Sequence, residues 1–187
     1  MNPSTADLLA AIEATHSDEA VILPNNKNIV PVAEAAARQS PKPVRVIPTQ
    51  GIQEGFAALL EYDPEGHADS NAALMAESAS RVVAGELTRA VRPSVCPAGP
   101  IAEGDFLGIS RRRIEVVARD MGEAATGLLD ILIDRDHHEI VTIITGEGSS
   151  VAETRRVTEW LAEQHPDVAV EVHPGGQPLY PYLFSIE

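Results

Sequence analysis

Thr145 to Ser150 reads TGEGSS and lies between an apolar run and a helical one. Strand–loop–helix turns hold phosphate at such places, because free backbone N–H groups and the helix dipole favour anions there. The chemistry needs more than position. A P-loop carries a lysine after its second glycine, and here Ser149 follows Gly148. The GxGxxG pattern is absent as well, and Glu147 brings negative charge to the place a phosphate would fill. Ser150 and Glu153 have the spacing of a capping box, so the segment reads as a capped helix start.

Other reactive residue types are present without a constellation. His137 and His138 adjoin Asp134 and Asp136, but neighbours on a turn diverge, and neither a Cys pair nor HExxH supports a metal site. His16, His67, His165 and His173 are scattered beside Ser, Gly or Pro and read as exposed loop histidines. There is no GxSxG elbow. Cys96 has no adjacent charge to lower its pKa. Asp134-Arg135-Asp136 is too short for a magnesium site and reads as a solvated helix end.

Two segments suit contact better than catalysis. The first is AVILPNNKNIVP, Ala20 to Pro31, where Asn25, Asn26, Lys27 and Asn28 crowd the tip of an apolar strand. Asn tolerates left-handed backbone and bonds its own chain, and Asn28 is the expected cap of the next helix, with Pro31 in its first turn. Lys27 is not explained this way, since a cation at a helix N-terminus opposes the dipole. It is expected to lie with the Thr49-Gln50-Gly51 loop at the carboxyl ends of adjacent parallel strands, where α/β sheets place their crevices. The second segment is GGQPLYPYLFSIE, in which Tyr180 and Tyr182 flank Pro181. Tyrosine joins apolar area to a polar tip, which suits an interface.

The elements that must position these residues follow from hydrophobic period. A helix entered at Ser4 runs to about Ala14, and strand–loop–helix units follow at 20–39 and 44–62. A helix is expected over 70–83 with Leu74, Ala79 and Val82 as apolar positions. Strands are expected at 86–91, around 103–109 and at 114–117, a helix over 121–133, a strand at 140–144, a helix after Ser150, and strands at 168–172 and 183–186. Successive strand–loop–helix units predict parallel or mixed sheets flanked by helices, joined by right-handed crossovers. The fold class is therefore α/β, in two small lobes, residues 1–92 and 93–187, divided at the aperiodic RPSVCPAGP stretch.

Composition narrows the function classes. A chain of 187 residues buries about 70% of its unfolded surface and needs no staples. Aromatics make up 4%, so Val, Ile, Leu and Ala must build the core. The net charge of -14 repels phosphate backbones and anionic headgroups, which argues against nucleic acid; Arg111-Arg112-Arg113 reads as a solvated turn. A single cysteine rules out an intrachain disulfide and fits a cytoplasmic location. No apolar run reaches the length of a membrane span, and no signal-peptide pattern opens the chain.

LPNNKNI, VIPTQGIQEGFAALLEYDP and GGQPLYPYLFSIE, with ITGEGSS and GDFLGI, occur in an order that resembles the C-terminal region of the ATP-binding component of bacterial fatty acid kinase, from a dihydroxyacetone-kinase-like, DhaL-domain family. The resemblance covers essentially the whole chain. It implies a non-catalytic module that binds and positions a DegV-like fatty-acid-binding protein while a kinase domain absent from this chain forms acyl phosphate for phospholipid synthesis. ATP and magnesium are expected only in that kinase domain, and no cofactor in this chain. The start, MNPSTADLL, resembles an internal stretch of longer members, which implies a fragment or a start at an internal methionine. Partner-binding candidates are Asn25, Asn26, Lys27, Thr49, Gln50, Gly51, Tyr180 and Tyr182. The competing expectations are an autonomous phosphotransfer or carbonyl-binding domain related to dihydroxyacetone kinases, and a homodimerisation domain.

Overall fold

A computed structural model describes residues 2–111 and 113–187. Arg112, the middle of the arginine run, lies outside the described residues. The chain divides between Val82 and Val83, where the change of texture had suggested Arg92. The physical reason is the strand that starts at Val83, which pairs only within the second unit.

The first unit has three layers. Helix α1, Thr5–Ala14, opens with the Ser4–Asp7 box in both directions: Asp7 N–H donates to Ser4 Oγ at 3.2 Å, and Ser4 N–H to Asp7 Oδ2 at 2.8 Å. Strands β1, Ala20–Ile22, and β2, Val44–Val46, pair in parallel, Ala20 opposite Val44 and Ile22 opposite Val46. Side chains of a strand alternate between faces, and β1 uses both. Ala20 and Ile22 pack with α1 and helix α2, Val30–Gln39, around Ile12, Ala36 and Val44. Val21 and Leu23 pack with helices α3, Ile52–Leu60, and α4, Ala68–Arg81, around Ile47, Ala58, Met75 and Ala79.

Two local expectations are corrected. Asn28 does not cap α2: the cap position is Ile29, without a side-chain bond, and Asn26 Oδ1 instead accepts Asn28 N–H at 2.9 Å. That closes an Asx turn one step before the helix. In α4 the buried face is Ala68, Asn71, Met75, Ser78 and Ala79, while Leu74 is 52% exposed.

The second unit is a mixed sheet of six strands in the order β7-β6-β3-β10-β8-β9. These are β3, Val83–Arg89; β6, Phe106–Ser110; β7, Ile114–Ala118; β8, Ile140–Thr145; β9, Ala169–Pro174; and β10, Tyr182–Ile186. Only β8 and β9 pair in parallel within it. Helices α5, Met121–Leu132, and α6, Val151–Gln164, build the core with it through Leu128, Leu129, Val157, Leu161, Tyr182 and Phe184. The aperiodic stretch contains a short hairpin, β4, Ser94–Cys96, with β5, Gly99–Ile101. Ile101 packs there with Ala90 and Leu107. The α/β class with mixed sheets stands as expected.

Candidate functional site

The first unit brings its two candidate loops together. Both leave the carboxyl ends of parallel strands, and Asn25 N–H donates to Thr49 Oγ1 at 3.0 Å. Asn25 takes a left-handed backbone, φ 52, as its residue type allows. Its carboxamide lies against Gly55 of α3, where any Cβ would overlap it. Thr49 is fully buried, with N–H on Ile47 O at 2.7 Å. Gln50 N–H donates to Glu54 Oε2 at 2.7 Å, and Gly51 stands at the α3 cap position.

These loops therefore have a buried polar base and exposed tips. Gln53 and Glu54 lie under them, 1% and 4% exposed. Asn25, Lys27 and Gln50 reach solvent, while Asn26 is half-buried by its own turn. Lys27 forms no ion pair among the described residues. The sequence reading missed Gln53, Glu54 and Gly55, although QEG follows the loop at the first turn of a helix, where an acidic side chain can accept loop N–H groups.

Helix α3 continues this surface with an apolar outer side. Its inner side is Gln53, Glu54, Ala57 and Ala58, and Ile52, Leu59 and Leu60 are left 47%, 56% and 70% exposed. Positions 52, 59 and 60 share a helix face, one and two turns apart. Tyr62, 47% exposed, follows at its end. Leu59 and Tyr62 also border a cavity of about 290 Å³ lined by Val21, Leu23 and Met75.

In the second unit the two tyrosines have different surroundings. Tyr182 is fully buried, stacked on Phe184 at 5.9 Å between ring centroids, with its hydroxyl 2.9 Å from Thr154 Oγ1. It is a core residue, not a surface one, because β10 is an interior strand. Burial first raises its pKa, with the Thr154 bond opposing. Tyr180 is half-buried, and burial and then the charge of Glu86 raise its pKa. Burial likewise raises Glu86 above the usual carboxylate range.

The TGEGSS loop is an ordinary capped helix start. Gly146 N–H donates to Pro181 O, Glu147 N–H to Gln177 O and Ser149 N–H to Gly146 O, so these donors are engaged within the chain. Ser150 Oγ accepts Glu153 N–H at 3.2 Å. Among the described residues no three His, Cys, Asp or Glu side chains gather as metal ligands, and no helix is long and apolar enough to cross a membrane. His16, His67 and His137 are exposed and His138 and His173 partly so, but His165 is buried, contrary to the loop reading.

The sequence model of the FakA-like C-terminal family, a family of fatty acid kinase C-terminal regions, matches residues 1–187. An uncharacterised protein of Staphylococcus aureus strain USA300 is 41% identical over 187 residues, covering 100% of this chain and 34% of that protein. The chain thus spans about a third of the length of the curated relatives it matches. Among solved structures it is similar to a DegV family protein of Eubacterium eligens loaded with heptadecanoic acid: TM-score 0.67, 15% identity, 100% of this chain and 78% of that one. It is also similar to the dihydroxyacetone kinase of C. freundii in complex with AMP-PNP and Mg2+: TM-score 0.66, 17% identity, 98% and 42%. The fatty acid kinase B3 protein of Streptococcus pneumoniae, loaded with linoleic acid, gives TM-score 0.64, 12% identity, 99% and 76%. At these identities the structures share the fold.

Proposed function

As the chain belongs to the FakA-like C-terminal family of fatty acid kinases, we propose that it is a docking module. It binds a DegV-like fatty-acid-binding protein and positions it for acyl phosphate formation by a kinase domain that lies outside these residues. ATP and magnesium belong to that kinase domain in this reading, and the chain itself performs no chemical step.

The observation that supports it is the surface of the first unit. Ile52, Leu59 and Leu60 place large apolar side chains in water beside the tips of Asn25, Lys27 and Gln50. An apolar patch with a polar rim is the usual anatomy of a protein interface. Lys27 gives that rim a cation on a chain of net charge -14, which selects a partner whose facing rim is acidic. The engaged N–H groups of TGEGSS weigh against the phosphotransfer alternative.

The test is titration calorimetry against a fatty-acid-loaded DegV-like protein from the same source, with Leu60→Asp and Lys27→Ala in parallel. The wild type binds. Leu60→Asp weakens binding about tenfold or more, as loss of an interface anchor does. Lys27→Ala acts mainly on the association rate and its salt dependence. No binding at high micromolar protein overturns the reading; sedimentation of the same samples then shows whether the apolar face pairs two copies instead.

A further inference from the structure

His165 ends α6 at its cap position, φ -130 and ψ 63. Its backbone N–H donates to Leu161 O at 2.7 Å, and its carbonyl accepts Val168 N–H at 3.1 Å. The residue is 4% exposed. Among the described residues neither ring nitrogen has a hydrogen-bond partner. A neutral imidazole carries one donor and one acceptor. Leaving both unanswered in an interior is rare enough to require a reason.

The surroundings supply one. The Trp160 ring lies 5.3 Å away, centroid to centroid. Asp130 of α5 places Oδ1 3.9 Å from Nε2, beyond hydrogen-bond length, and its side chain is 66% exposed. Arg135, in the loop between α5 and β8, opposes protonation, while Asp130 favours it; burial outweighs both and lowers the pKa below 6.5.

We propose that His165 is a proton-operated latch on the turn from α6 into β9, seated while neutral and released when charged. An imidazolium has no acceptor where the ring now sits. It gains one by moving toward Asp130 or out to water. The backbone that must follow carries the Leu161 and Val168 bonds. Directly beyond, Ala169 N–H donates to Glu139 O at 2.8 Å and starts β9, an edge strand paired to β8 alone. Release of the ring therefore loosens the start of β9.

The sign follows from linkage. The lowered pKa means that the open state takes up the proton first. The seat is fully stable above the ordinary histidine value of about 6.5 and weakens as pH falls through it. His138 also responds to acid, because its Nδ1 accepts Asp134 N–H at 2.8 Å. It is therefore kept unchanged in every variant compared.

The test is hydrogen exchange of the intact chain, corrected for intrinsic rates, at several pH values across the histidine range. Wild type, His165→Phe and Asp130→Asn are compared, with the His165 ring followed by nitrogen NMR. In the wild type, protection of Val168 and Ala169 falls at least about threefold as the ring titrates. His165→Phe lacks that fall, and Asp130→Asn moves its midpoint to lower pH. The same fall in His165→Phe overturns the latch, as does a ring that titrates with protection unchanged. If His165→Phe does not fold, the Asp130→Asn midpoint decides, and an unmoved midpoint overturns the proposal.

Discussion

A methyl group added at Gly55 meets only the Asn25 carboxamide, the end of a side chain that can rotate away. At Gly146 it overlaps the Tyr180 carbonyl oxygen and stands 2.6 Å from Gln177 O, which are backbone atoms. The two substitutions should therefore separate. Gly55→Ala gains helix propensity of up to about 1 kcal/mol in α3 and loses the Asn25 packing, so stability changes little while the Asn25 tip is displaced. Gly146→Ala forces two loops apart and costs about 1–3 kcal/mol. Urea denaturation checks both, and equal losses would refute the distinction between side-chain and backbone neighbours. Residue types disclosed part of this in advance. Asn25 was readable as a left-handed position, because that property belongs to the residue. The need for glycine at 55 was not, because it is set by a side chain thirty positions earlier in sequence.

At the scale of elements, helix caps written in nearby residues were legible and caps borrowed from afar were not. Ser4–Asp7 and Ser150–Glu153 are local patterns, and both form. Helix α4 has no such signal: His67 at its cap position makes no side-chain capping bond. Glu19, from the turn before β1, takes the role and accepts Ala68 N–H at Oε2, 2.5 Å, while Oε1 stands 3.3 Å from His67 Nδ1. Arg45 of β2 adds an ion pair to Asp69 in the same first turn. The Ala68 bond, then that to His67, hold Glu19 below its ordinary 4.5, against some desolvation. A carboxylate with a lowered pKa stabilises the fold above its unfolded value and loses that effect as pH falls through the folded one. Glu19→Gln should therefore lower the melting temperature near neutral pH, and the gap to wild type should close below about pH 4.5. A gap constant across that range would mean that the carboxylate charge is not what holds the α4 start.

For the whole molecule, the α/β class and most elements could be read from period and punctuation, since each is a property of a short window. Strand order could not. Nothing local in LFSI distinguishes an edge from a centre, and the sequence reading placed Tyr182 at a surface for that reason. Pairing shows β10 between β3 and β8, with Tyr182 opposite both Leu87 and Thr145 and Ile186 opposite both Val83 and Val141. All five residues are buried. The last strand in chain order is thus the one that joins the two halves of the sheet, and it can pair only after β3 and β8 exist. Contacts of such sequence separation open together with the core and not by local fraying. Amides of Leu183, Phe184 and Ser185 should accordingly exchange as slowly as those of β8, in a single cooperative step of the second unit. The edge strands β7 and β9 should exchange faster. Native-state hydrogen exchange under low denaturant reads this directly: a β10 that opens before β9 would mean that its central place in the ladder does not govern the unit's stability.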